Sequence, residues 1–251
     1  MCRHLAYVGP PVMLSSLVLE PPHSLLRQSY APSDMRGGGT VNADGFGAGW
    51  YPDPGGPAAR YRSAGPIWSD TSFAALAAGT GSGGALAAVR SATVGMPVTE
   101  TAAAPFAEGR WLFSHNGVVR GWPHSVAALA AELPVTDLIT LEAPTDAALL
   151  WALVRHRLRC GADPADALAG VVTAVAAAAP ESRLNLLLTD GAAIWATAWT
   201  HALSVRADHG HALVVSEPID PGAWTEVPDR HLVVARPGHC RFAPLTTTGD
   251  P

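Results

Sequence analysis

Met1-Cys2-Arg3-His4-Leu5-Ala6-Tyr7-Val8 sets a thiol directly behind an initiator methionine and then, over residues 4–8, follows a histidine with four apolar residues. That run reads as a strand. Initiator methionine is generally removed when the next side chain is small, and cysteine is small. Removal would leave Cys2 with a nucleophilic thiol and a free α-amine. Such an amine titrates near about 7.7–8.0 in model compounds, so much of it is a neutral base close to pH 7. A nucleophile that carries its own base is the N-terminal variant of activated-nucleophile catalysis. The competing reading is an ordinary second residue, and Cys2 alone does not separate the two.

Outward from this start, short strands are expected at residues 46–51, 86–91, 110–115, 184–189, 194–200, 212–216 and 232–235. Helices are expected in the middle of the chain. Leu150, Val154 and Leu158 recur every four residues over Asp146–Arg159, with Thr145 as N-cap and Gly161 just past the end. A second helix over 164–179 begins with the Asp163-Pro164 pair and stops at Pro180, and a shorter one covers 125–132. Gly/Pro-rich stretches at 37–40 and 52–57 read as loops, and 79–84 as a flexible connection. Strands, then helices, then strands argue for antiparallel sheets packed on helices rather than an alternating doubly wound fold.

Three further motifs carry chemistry. Ser114-His115-Asn116-Gly117 closes the strand at 110–115. An Asn amide and a Gly N–H side by side can donate to a developing oxyanion; the same dipeptide is also a common hairpin turn. Arg90-Ser91-Ala92-Thr93 ends another apolar strand, where a guanidinium can grip a carboxylate with two hydrogen bonds. Asp146 follows Thr145 at a helix start, where it can cap the helix or bind an ammonium group.

Together with Asn42-Ala43-Asp44-Gly45-Phe46-Gly47-Ala48-Gly49-Trp50, these motifs occur in the order found in class II glutamine amidotransferases, which the chain resembles over nearly its whole length. Those are N-terminal-nucleophile hydrolases that cleave the side-chain amide of glutamine. The resemblance implies an α+β fold, a four-layer αββα sandwich with two antiparallel sheets, as one domain over 1–251. It implies Cys2 as nucleophile and Asn116 and Gly117 as oxyanion hole. Arg90 would hold the α-carboxylate of the glutamyl group and Asp146 its α-ammonium, with Thr93 and His115 also contacting substrate. The family often carries an acidic residue two places after that aspartate; here it is Ala148. Residues 44–49 would bring a glycine-rich strand near the site, and they lack the Lys-Ser/Thr of a phosphate loop.

Within the family the start and residues 42–47 look most like the branch that works in ergothioneine biosynthesis. That branch implies a γ-glutamyl-hercynylcysteine sulfoxide substrate with a large cationic leaving group, for which Trp50, Tyr51, Phe106 and Trp122 are candidate aromatic faces. A glutaminase subunit feeding a separate synthase, and a non-catalytic binding protein on the same scaffold, are the alternatives. No acceptor domain is expected after Pro251.

Composition narrows the remaining classes. Of 251 residues, 48% are hydrophobic and 15% charged, as in a globular chain. The net charge of −5, without a basic stripe, argues against nucleic acid as partner. No apolar run approaches the roughly 20 residues of a membrane span, and no signal-peptide pattern opens the chain, so a cytoplasmic protein is expected. Three cysteines, Cys2, Cys160 and Cys240, make neither a disulfide framework nor a zinc site. His209 and His211 beside Asp208 read as a polar turn. No metal and no cofactor are expected; the partner is a small γ-glutamyl molecule.

Overall fold

The computed structural model describes residues 2–35, 41–208 and 210–246. The glycine-rich stretch at 37–40, His209 and Met1 lie outside the described residues. Thirteen strands run β1 (Arg3–Met13), β2 (Phe46–Trp50), β3 (Ala59–Ser63), β4 (Gly81–Val89), β5 (Phe106–Glu108), β6 (Trp111–Val118), β7 (Arg183–Thr189), β8 (Ile194–Ala198), β9 (Ser204–Ala207), β10 (Ala212–Val215), β11 (Thr225–Glu226), β12 (His231–Arg236) and β13 (His239–Pro244). The α-helices are α1 (Leu14–Val18), α2 (Leu25–Gln28), α3 (Thr71–Gly79), α4 (Ala127–Ala130), α5 (Val135–Ile139), α6 (Asp146–Arg159) and α7 (Pro164–Ala178).

The strands form two sheets, of order β11-β9-β10-β1-β4-β2-β3 and β13-β12-β8-β7-β6-β5. Every pairing is antiparallel. Side-chain alternation divides the core into three apolar layers. Leu5 and Tyr7 of β1 pack against α1 and α3 through Leu14, Val18, Phe73 and Ala77. Their neighbours Ala6 and Val8 face the other way, into a layer shared with Leu112, Leu187, Ile194 and Val233 of the second sheet. Leu184, Leu186 and Leu188 of β7 turn outward again, onto Leu150, Val154, Val171 and Val175 of α6 and α7. Three apolar interfaces make four layers, so the αββα sandwich is the observed architecture.

Helices α6 and α7 start as their caps require. Thr145 Oγ1 accepts from the Ala148 N–H at 3.2 Å, and Asp163 Oδ1 from the Ala165 N–H at 2.8 Å. The expected helix at 125–132 is instead a 3₁₀ turn, His124–Val126, followed by the single turn α4. The flexible connection expected at 79–84 is also corrected: it is the end of α3 and the start of β4, paired with β1 from Gly81↔Met13 onward. There glycine serves close approach. A Cβ on Gly83 would lie 2.8 Å from the Gly9 carbonyl, and one on Gly84 2.8 Å from the Gly191 Cα. Likewise a Cβ on Gly49 would meet Leu112 Cδ2 at 2.7 Å, which explains the glycine-rich β2.

Among the described residues no helix is long and apolar enough to cross a membrane.

Candidate active site

Cys2 sits just ahead of β1, half-buried, with its Sγ 3.8 Å from the Ser91 carbonyl oxygen. Ser91 follows the end of β4, which pairs with β1 through Arg3↔Val89. The two central strands therefore bring the residue-2 thiol and the 90–93 segment together. Cys2, Arg90, Thr93, His115, Gly117 and Asp146 line one cavity of about 40 Å³, closed further by Ala104, Phe106 and Met96.

Arg90 is held at its base. Its Nη1 donates to the carbonyls of Pro97 at 2.9 Å and Asp44 at 3.2 Å, and no carboxylate among the described residues pairs with it. Asp44 completes the clamp: its Oδ2 accepts from the Ala92 N–H at 2.8 Å. Asp44 belongs to the quoted Asn42–Trp50 run, but its role as a brace for the 90–93 segment was not apparent from sequence. Gly47 explains the same run from the other side, since a Cβ there would lie 2.5 Å from the carbonyl of Ala104 in the cavity wall.

Ser114-His115-Asn116-Gly117 lies inside β6, which continues to Val118 paired with β7. The hairpin-turn reading is thereby overturned. The alternation of β6 splits the motif. His115 and Gly117 line the Cys2 cavity, while Asn116 lines an adjoining one with Arg3, Asp34, His201, Ser216 and Glu217. Asn116 Nδ2 donates to Ser216 Oγ at 3.3 Å, and its buried Oδ1 has no partner. His115 Nε2 lies 3.0 Å from the Arg183 carbonyl; a carbonyl only accepts, so Nε2 carries the proton. Asp146 Oδ2 accepts from the Val119 N–H at 3.0 Å, which ties the start of α6 to the end of β6.

Beneath the site is a buried polar layer that sequence reading missed. Arg3 is 2% exposed and pairs with Glu217 at 2.6 Å, while its Nη1 donates to the Cys2 carbonyl at 3.0 Å. Burial pushes the Glu217 carboxyl up, but hydrogen bonds from His23 and the Ser33 N–H and the Arg3 charge outweigh it and hold it below the usual range. His4 Nδ1 contacts Ser114 Oγ at 3.2 Å. Burial, with the neighbouring His115, His201 and Arg3, lowers the His4 pKa to about 3. Burial lowers His201 to about 3 as well, helped by Arg183, Arg3 and His115 against Asp34. Strand parity places His4 and Ser114 between the sheets; that was the available signal.

These two histidines set an acid limit. Their folded values near 3 lie below the ordinary 6.5. Between those values the unfolded chain binds protons that the folded chain refuses. Stability is therefore full above pH 6.5 and falls as pH drops below it, by roughly 1 kcal/mol per pH unit for each histidine. The urea midpoint is expected to be lower at pH 5 than at pH 7, and the difference to shrink in His201→Gln. Equal midpoints in the native chain would contradict this.

The aromatic expectation is corrected in part. Phe106 lines the cavity, and Trp122 lines a neighbouring surface groove with Thr93 and Met96. Trp50 and Tyr51 do not reach it. Tyr51 is buried with its hydroxyl donating to the carbonyls of Arg110 at 2.8 Å and Thr189 at 3.1 Å. The Asp208–His211 pair closes at 3.0 Å, and no group of metal-ligating side chains occurs among the described residues.

Two facing antiparallel sheets between helical layers, with a cysteine at the head of a central strand, define the N-terminal-nucleophile hydrolase class. Comparison with known proteins agrees. The model for class-II glutamine amidotransferases matches residues 24–212. The chain is 44% identical to the γ-glutamyl-hercynylcysteine sulfoxide hydrolase of Mycolicibacterium smegmatis, over 98% of this chain and 100% of that one. It is 43% identical to the protein of that name from Mycobacterium tuberculosis, over 93% of this chain and 92% of the relative. Among solved structures, a glutamine aminotransferase class-II domain protein from Silicibacter pomeroyi superposes with a TM-score of 0.70 at 25% identity, covering 98% of this chain and 100% of its own. The phosphoribosylpyrophosphate amidotransferase of B. subtilis shares the fold at TM-score 0.67 and 12% identity, over 98% of this chain and 49% of its own. This chain belongs to the class-II glutamine amidotransferases.

Proposed function

We propose that the protein hydrolyses the γ-glutamyl amide of γ-glutamyl-hercynylcysteine sulfoxide, releasing glutamate and hercynylcysteine sulfoxide in ergothioneine biosynthesis. The observation that carries this reading is the 44% identity, over the full length of a relative so named, in a chain whose Cys2, Arg90 and Asp146 share one cavity. Met1 is removed, and the α-amine of Cys2 takes the thiol proton. Sγ attacks the amide carbon, the amine leaves with a proton, and water then cleaves the thioester. The Gly117 N–H and one Asn116 Nδ2 hydrogen stabilise the oxyanion. An amide NH₂ has two donors, so the bond to Ser216 leaves one for this purpose.

Arg90 binds the α-carboxylate of the glutamyl group and Asp146 its α-ammonium, with Thr93 and His115 in contact beside them. The protein acts as one domain over 1–251, and we place it in the cytoplasm, in keeping with three unpaired thiols. Arg90→Ala is expected to raise KM by about 10- to 100-fold, the worth of one charge-assisted contact, with little change in kcat. The carboxylate keeps its charge throughout the reaction, so its binding is uniform. Steady-state kinetics showing a pure kcat defect would remove Arg90 from this role.

The deciding experiment is a competition between glutamine and γ-glutamyl-hercynylcysteine sulfoxide, scored as kcat/KM for glutamate release. The sulfoxide should win by about tenfold or more, the equivalent of about 1.4 kcal/mol of leaving-group binding. Equal efficiency would favour a glutaminase subunit that supplies ammonia.

A further inference from the structure

Arg183 opens β7, directly opposite Val118 of β6. Leu184, Leu186 and Leu188 turn to the helices, and Leu187 turns to the other sheet. By the same alternation Arg183 shares the inter-sheet side with Asn185 and Leu187, at the end of the sandwich where Cys2 sits. Its backbone forms the wall behind the site. The Arg183 carbonyl accepts from His115 Nε2 at 3.0 Å, and a Cβ on Gly117 would lie 1.8 Å from that carbonyl oxygen.

The side chain is out of balance. Among the described residues its guanidinium has neither a carboxylate nor a hydrogen-bond acceptor, and its buried Nε is unpartnered. Burial and the neighbouring Arg120 charge disfavour its cation, with Cys2 the opposing influence. The Arg120 guanidinium is likewise without an acceptor among the described residues. A half-buried cation next to a second cation is costly unless an anion arrives.

The chemistry of the proposed substrate class supplies one. In a γ-glutamyl amino acid the scissile nitrogen is bonded to the α-carbon of the leaving residue, which bears its own carboxylate. That carboxylate is two bonds from the nitrogen and therefore close to Sγ during attack. Glutamine carries only hydrogen there. We propose that Arg183 is a specificity-determining residue that binds the α-carboxylate of the leaving amino acid and so separates γ-glutamyl amino acids from glutamine and simple amides. This rests on the γ-glutamyl hydrolase reading.

The test uses the full chain and a matched pair of substrates, γ-glutamyl-S-methylcysteine sulfoxide and its decarboxylated analogue, γ-glutamyl-2-(methylsulfinyl)ethylamine. The wild type should prefer the carboxylate by about tenfold or more. Arg183→Met should lose that preference by lowering kcat/KM on the first substrate alone, and Arg183→Lys should keep part of it. Unchanged turnover of the analogue reports that the variant is folded. Equal losses on both substrates, or a wild type that does not discriminate, would overturn the Arg183 assignment alone. γ-Glutamyl-hercynylcysteine sulfoxide is run alongside as the reference: failure of the wild type to release glutamate from it would overturn the hydrolase reading and this inference with it, and turnover of the reference but of neither short substrate counts with a wild type that does not discriminate.

Discussion

Cys2→Ala is expected to fold and to lose hydrolase activity by about 10⁴-fold or more, the scale seen when a covalent nucleophile is deleted. The thiol is half-buried and makes one weak contact, 3.8 Å from the Ser91 carbonyl, so its removal costs little packing. Thermal midpoints of variant and wild type should agree within a few degrees. Cys160→Ala and Cys240→Ala are the controls. Cys160 is exposed at the end of α6, 3.9 Å from His156, and Cys240 lies on the edge strand β13. Both variants should retain wild-type kcat/KM. A Cys2→Ala enzyme that keeps its turnover, or a Cys160→Ala enzyme that loses it, would assign the chemistry to another group.

The central strands and long helices were legible because their signals are local. Leu5 to Val8 form an unbroken apolar run, as a strand buried on both faces requires, and α6 carries its four-residue apolar spacing with Thr145 as cap. Edge strands β3, β5, β11 and β13 escaped because sequence alternation reports burial, and edges bury little; β13 is exposed along most of its length, and the four-residue β9, one strand in from the edge, escaped with them. The glycines at 81–84 misled for a related reason. Glycine marks either a flexible chain or a close approach, and only the partner, here Gly9, Tyr51 and Gly191, tells which. At the site, residues in short motifs were readable, whereas the Arg3–Glu217–His23 cluster was not. Its members are 214 and 194 residues apart in sequence, and only the pairing of β1 with β10 brings them together.

Retaining any residue ahead of Cys2 is expected to lower kcat by about 10²–10⁴, the usual contribution of a positioned general base. A peptide nitrogen has its lone pair delocalised into the carbonyl and cannot take the thiol proton. Two imidazoles lie nearby, and one of them is a poor substitute. His4 is fully buried, its Nδ1 faces Ser114, and its pKa near 3 leaves it a weak base. His115 is the other imidazole at the cavity; its Nε2 proton goes to the Arg183 carbonyl, which leaves the lone pair on Nδ1 and makes His115 the alternative base to be tested. The comparison is between a non-cleavable N-terminal extension and a C-terminal tag, with intact mass confirming the first residue of each. The extended protein should bind the glutamyl group through the unaltered Arg90 and Asp146 while failing to form the thioester. Intact mass after brief exposure to substrate would then show the acyl adduct with the C-terminally tagged enzyme alone. Equal rates and equal adduct formation would mean that the α-amine is not the base, and His115, through its free Nδ1, would take its place.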